Sequence, residues 1–154
     1  MQFPRWVRAV VIQVLLAFSM LHSAHAAQVE GAPAEVEVVS GGVGESDQQA
    51  LRDQRGRFSF WLITAAQGTG EYLSGVHVSV TDLQSKQTVV EHTMDGPWLL
   101  AALPPGRYAI EAVYRSSDAM QEQKVKKTTT IRAGTKLRQM LVYFKSKEVV
   151  GTQD

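Results

Sequence analysis

The side chains able to do chemistry are few in this chain. Histidine titrates near neutral pH and is a common metal ligand. Of the four histidines, His22 and His25 fall within the first 26 residues, leaving His77 and His92. Val76-His77-Val78-Ser79-Val80-Thr81 alternates strictly, which places His77 on the face opposite three valines. His92 shares its parity with Val90 and Met94. If the two strands join one sheet, the histidines come close, and a metal would still need Glu91 or Asp82 as a third ligand. Neither HxxxH nor HxH spacing occurs, so both read as rim histidines, with no metal and no cofactor expected.

Nucleophilic chemistry is no better supplied. A serine nucleophile needs a base within reach and an acid to orient that base. No GxSxG occurs, and the carboxylates Glu71, Asp82, Glu91, Asp95 and Glu111 are scattered, with nothing to mark a glycosidase pair. Gly41-Gly42-Val43-Gly44 precedes a helix but lacks the lysine of a phosphate-binding loop. No catalytic residue is expected. Aromatic residues offer more. Trp61 has the opposite parity to Phe58, Phe60 and Leu62, which puts it on an outer face with Ile63. Tyr72 and Glu71 follow the turn-rich Gly68-Thr69-Gly70. Trp61, Glu71, Tyr72, His77 and His92 are therefore the candidate binding surface, the competing reading being that Trp61 and Trp98 are both core or sheet-edge cover. Lys124, Lys126 and Lys127, with Lys145 and Lys147, form a basic patch that reads as a solvated strand edge, the alternative being polyanion or envelope-lipid contact.

The elements that must hold these residues begin after an export signal. Arg5 and Arg8 precede an apolar run, Ala9 to Leu21, and then Ala24-His25-Ala26. The run is short of the roughly 20 residues a spanning helix needs. It fits a signal peptide cut after Ala26. The chain has no cysteine, so neither a cysteine-linked lipid nor a disulfide is available. Removing residues 1–26 takes Arg5 and Arg8 from the 16 basic residues, leaving 14 against 15 acidic ones. Near-neutral charge gives no case for nucleic acid or for membrane attraction.

Residues 27–34 read as a flexible leader. A short strand, the glycine loop and a helix at about 47–54 occupy 35–56, with Ser46-Asp47-Gln48-Gln49 as a capping box. Strand patterns then recur every 8–15 residues through 57–145: Phe58–Ile63, Val76–Thr81, Thr88–Met94, Trp98–Leu103, Tyr108–Tyr114, Lys124–Ile131 and Leu137–Phe144. Asp95-Gly96-Pro97 and Pro104-Pro105-Gly106 punctuate them, the second as a type II turn with Gly106 at positive φ. Residues 146–154 read as a frayed tail. The expected fold is all-β, an antiparallel immunoglobulin-like or prealbumin-like sandwich of about seven strands with one short N-terminal helix.

Tyr72-Leu73-Ser74-Gly75-Val76-His77-Val78-Ser79-Val80, then Asp95-Gly96-Pro97-Trp98-Leu99-Leu100, then Leu103-Pro104-Pro105-Gly106-Arg107-Tyr108 stand in order. This succession resembles the carboxypeptidase regulatory-like domain, a transthyretin-like sandwich, over about Phe58 to Phe144. The resemblance implies scaffold roles for these residues and no chemistry. One transthyretin relative, the hydroxyisourate hydrolase, ends in Tyr-Arg-Gly-Ser. Tyr114-Arg115-Ser116-Ser117 departs from it in Ser116 and in lying far from the C-terminus. The functional expectation is a non-catalytic module exported to the periplasm of a bacterial envelope, presenting loops at 68–72 and 116–121 and one sheet face to an envelope protein or a glycan. A carbohydrate-binding module and a small hydrolase of the hydroxyisourate type are the alternatives.

Overall fold

The structure, a computed structural model, describes residues 35–116 and 121–145. The expected signal peptide, leader and tail, and most of the 116–121 loop, lie outside the described residues. The fold is all-β with one short helix. In chain order it runs β1 (Val38–Gly41), α1 (Glu45–Gln54), a 3-10 turn (Arg55–Arg57), β2 (Phe60–Gln67), β3 (His77–Asp82), β4 (Thr88–Thr93), β5 (Trp98–Ala101), β6 (Gly106–Arg115), β7 (Glu122–Ile131) and β8 (Arg138–Lys145). Two four-stranded sheets face each other, ordered β1-β5-β2-β8 and β4-β3-β6-β7.

Period-two patterning makes the core. Phe60, Leu62, Leu99, Ala101, Val142 and Phe144 from the first sheet pack against Val78, Val80, Val90, Tyr108, Ile110 and Ala112 from the second. Every pairing is antiparallel except β2 with β8, which is parallel from Phe60↔Arg138 to Gln67↔Lys145. The expected antiparallel sandwich thus carries one parallel edge strand. Such a pair cannot be joined by a hairpin, because parallel strands need a crossover connection. Here the chain between β2 and β8 builds the whole second sheet first.

The first sheet is buried on both faces at β5, whose four residues are all covered. Alternation explains this. Leu99 and Ala101 face the sandwich, while Trp98 and Leu100 face outward to join Leu51, Phe58 and Ile63 in a second cluster. Leu51 is the only buried residue of α1 and anchors it there, a burial that contributes about 1.5–3 kcal/mol. The helix starts two residues earlier than the capping box predicts. Gly44 is its cap and no side chain bonds the first turn. Asp47 instead accepts the Gly42 amide, and Gln48 donates to the Gly42 carbonyl at 3.0 Å. The first-turn carboxylate is therefore spent on holding the glycine loop.

One turn also differs from expectation. Gly106 does not take positive φ. The reason for a glycine is space. A Cβ there would sit 3.1 Å from the Tyr108 hydroxyl, which donates to the Pro104 carbonyl at 2.8 Å. This is the logic of a tyrosine corner. Gly96 is likewise a matter of approach, since a Cβ there would overlap the Gly41 carbonyl oxygen. Gly75 does use its freedom, with φ +69° at the entry to β3.

Candidate functional site

The two sheets leave two open sides, one between β1 and β4 and one between β7 and β8. His92 belongs to the first side. It stands opposite Val78 in the β3–β4 register, so it points toward the sandwich rather than away. At the edge of β4 it reaches Ser40 on β1, with Nε2 2.8 Å from Oγ. Ser40 Oγ also donates to Asp95 Oδ2 at 2.9 Å and accepts the Asp95 amide at 3.0 Å. Serine, histidine and aspartate thus meet, three residue types that carry out acyl transfer elsewhere.

The wiring is wrong for that chemistry. A catalytic carboxylate bonds Nδ1 and holds the ring so that Nε2 can take the serine proton. Here Asp95 Oδ2 approaches Nε2 itself, at 4.0 Å, on the same side as Ser40. No described group bonds Nδ1. A carboxylate only accepts, so a hydroxyl proton serving Asp95 leaves Nε2 to donate to Oγ. The serine oxygen is then fully used by one donation and two acceptances. The trio is a latch from β1 to the β4–β5 turn. A groove of 720 Å³ runs beside it, lined by Val36, Val38 and Val90 with Glu35, Glu37 and Glu91 at its rim. Glu37 is paired with Arg57.

His77 faces the other way. Its Nδ1 lies 3.2 Å from Thr93 Oγ1 and its Nε2 3.5 Å from Glu91 Oε1. The two histidines share a sheet, but they sit on opposite faces and cannot hold one ion. No group of three metal-ligating side chains occurs among the described residues.

The aromatic residues converge on the outer face of the first sheet. Trp61 and Trp98 meet edge to face at 5.0 Å, and Tyr72 stands against Trp98 at 6.3 Å. Arg52 lies over Trp98 at 5.0 Å. Trp98 is only 3% exposed and serves as packing beneath α1. Tyr72 is 51% exposed and is tied to β2 by a bridge to Ala65, with the Glu71 carbonyl accepting from Ala66 at 2.7 Å. Glu71 itself is exposed. Trp61 is half-buried and lines a 460 Å³ cavity with Phe58, Leu137 and Lys136. Of the five predicted residues, the structure joins Trp61 and Tyr72 through Trp98 and leaves His77 and His92 on other surfaces. The indole N–H groups of Trp61 and Trp98 are buried without a partner, a cost of about 1–3 kcal/mol each.

Sequence reasoning missed a second cavity, of 530 Å³, where the β7–β8 connection closes one end of the sandwich. Arg107, Arg132, Lys136 and Arg138 line it together with Thr128, Thr129 and Thr130. The β6–β7 register sets Arg107 beside Thr130. The connection is fixed by Thr135, whose hydroxyl and amide both donate to the Arg132 carbonyl, at 2.7 and 3.3 Å. Thr129 is 5% exposed and its hydroxyl has no partner. No acidic residue lines this cavity, and none of its four cations has an ion-pair partner among the described residues. The lysines foreseen as a basic edge are different. Lys124 and Lys126 both grip Glu111, at 3.0 and 2.9 Å, and these bonds hold the Glu111 carboxyl below its ordinary pKa. The missed signal was the basic run Arg132, Lys136 and Arg138 at the β7–β8 connection, which Arg107 of β6 joins only in the folded sandwich.

Comparison of the chain with protein-family models, with curated proteins and with solved structures finds no match.

Proposed function

We propose that this chain is a non-catalytic binding module of the bacterial envelope, exported to the periplasm by its N-terminal segment, with a protein or glycan partner. The observation that carries the non-catalytic part is the wiring of Ser40, His92 and Asp95. The only serine–histidine–carboxylate meeting among the described residues uses the serine oxygen as a structural junction. The binding part is supported by two adjoining cavities built on rigid strands, both within the roughly 300–1,000 Å³ of ordinary ligand sites. The carboxypeptidase regulatory-like resemblance belongs to the same reading, with the Gly75, Gly96 and Gly106 positions acting as scaffold. The purified chain is expected to turn over no ester or ureide substrate, and Ser40→Ala is expected to change stability alone. Hydrolysis that Ser40→Ala or His92→Ala abolishes would overturn the reading.

A further inference from the structure

We propose that the cavity lined by Arg107, Arg132, Lys136 and Arg138 is a binding site for an acidic glycan. Its carboxylate or sulfate groups would lie among the arginines, and the adjoining sugar would cross Lys136 to rest against Trp61. The proposal takes the chain to be a binder, as above, and adds the site and the ligand chemistry.

Uncompensated charge is the first argument. Four cations line one cavity with no carboxylate among them. Like charges held together repel, and the concave wall focuses their field on whatever enters. An anion is the occupant this field selects. Three of the four are arginines, whose planar fork matches a carboxylate or sulfate with two parallel hydrogen bonds. Exposed Thr128 and Thr130 add hydroxyls suited to sugar hydroxyl groups.

Continuity is the second argument. Thr135, Lys136 and Leu137 line both this cavity and the one that holds Trp61 and Phe58. A ligand crossing that shared wall meets cations on one side and an aromatic surface on the other. A sugar acid presents the same pair of features, a charged group and an apolar C–H face that stacks on an indole. An extended nucleic acid fits less well, because it needs a track of free cations for successive phosphates. Such a track is interrupted here: Lys124 and Lys126, further along β7, are engaged by Glu111.

The test titrates the full chain, by calorimetry and tryptophan fluorescence, with four probes. They are an oligogalacturonate, a sulfated oligosaccharide, a neutral oligosaccharide of equal length, and inorganic polyphosphate. At least one acidic oligosaccharide is expected to bind and to shift the fluorescence, with affinity falling as salt rises. The neutral one is not expected to bind. Arg132→Gln with Arg138→Gln should weaken binding at least tenfold. Lys124→Gln with Lys126→Gln should leave it unchanged, and circular dichroism checks that each variant folds. Trp61→Phe should weaken the acidic oligosaccharide several-fold and leave polyphosphate untouched. Equal binding of the neutral sugar, or undiminished binding in the arginine double variant, overturns the proposal while the module reading stands. Polyphosphate binding as tightly as the oligosaccharides, with Trp61→Phe silent, overturns the glycan assignment. No binding to any probe overturns the site altogether, and only hydrolytic turnover would overturn the module reading with it.

Discussion

The two open sides of the sandwich solve the same problem with different means. Two stacked sheets expose four edge strands, and an exposed edge is a template for unwanted pairing. On the β1–β4 side the gap is crossed by the Ser40–His92–Asp95 latch and by the close approach of Gly96 to the Gly41 carbonyl. On the β7–β8 side one side chain does the work. The Gln123 amide donates to the Lys145 carbonyl and accepts the Lys145 amide, both at 2.8 Å, copying the pair of bonds a β-ladder would make. The first side is closed by the half-buried pair Ser40 and His92, with exposed Asp95 beside them, and carries Glu35, Glu37 and Glu91 along its groove. The second is closed by an exposed amide and ends in the cationic cavity. A formal net charge of +1 conceals this opposition, because net charge constrains solubility and says little about local field.

The largest effect should come from the backbone contact. Gly96→Ala places a methyl group into the Gly41 carbonyl, and neither partner is a flexible side chain that could yield. Overpacking of this kind costs roughly 1–3 kcal/mol or more, so the variant should lose about 3 kcal/mol in urea unfolding. A loss below about 0.5 kcal/mol would mean that the β1–β4 side is not built on that approach.

The latch and the amide clamp should differ by less. Ser40→Ala leaves the part-buried His92 Nε2 and the exposed Asp95 amide without their shared oxygen, at about 1 kcal/mol, most of it from His92. Gln123→Ala removes two bonds that water can replace, at about 0.5 kcal/mol. Chemical denaturation of the two variants at neutral pH ranks them. Equal losses would erase the distinction between a packed side and a clamped one.

Much of this fold was legible in the sequence, and the failures have physical causes. Alternation, β-rich composition and turn signals located the strand segments where about seven were expected and eight occur, because a half-buried strand repeats every two residues. Val76–Thr81 and Thr88–Met94 fall within a residue of β3 and β4. Strand pairing was harder. Nothing within Leu137–Phe144 reports its neighbour, so the parallel pairing of β8 with β2 was not visible. The helix start failed because Asp47 serves the glycine loop, and the type II turn failed because Gly106 answers to Tyr108 rather than to φ. The site was the least legible part. Ser40 stands 52 residues from His92 and 55 from Asp95, and only the folded sandwich brings them together. The parity of Trp61 was readable, whereas the cover that α1 lays over Trp98 was not.

The smallest effect concerns charge on β7, and it separates that strand from the cavity at its end. Bonds from Lys126 and Lys124 stabilise the ionised form of Glu111 and hold its pKa below the ordinary 4.5. A carboxyl depressed in the folded state binds its proton less readily there than in the unfolded chain. It therefore contributes stability above the unfolded pKa, and that contribution is lost as pH falls through the folded value. Glu111→Gln should be slightly less stable than the parent chain at pH 7, and the gap should close on acidification below about pH 4.5. Added salt should narrow it at neutral pH, since the pairs are exposed. Arg138→Gln should behave oppositely. With no described ion-pair partner to lose, it relieves repulsion among the cavity's cations, so stability should hold or rise. Thermal unfolding of both variants from pH 3 to 8 decides the point. A destabilised Arg138→Gln would show that the cavity's charge is already compensated.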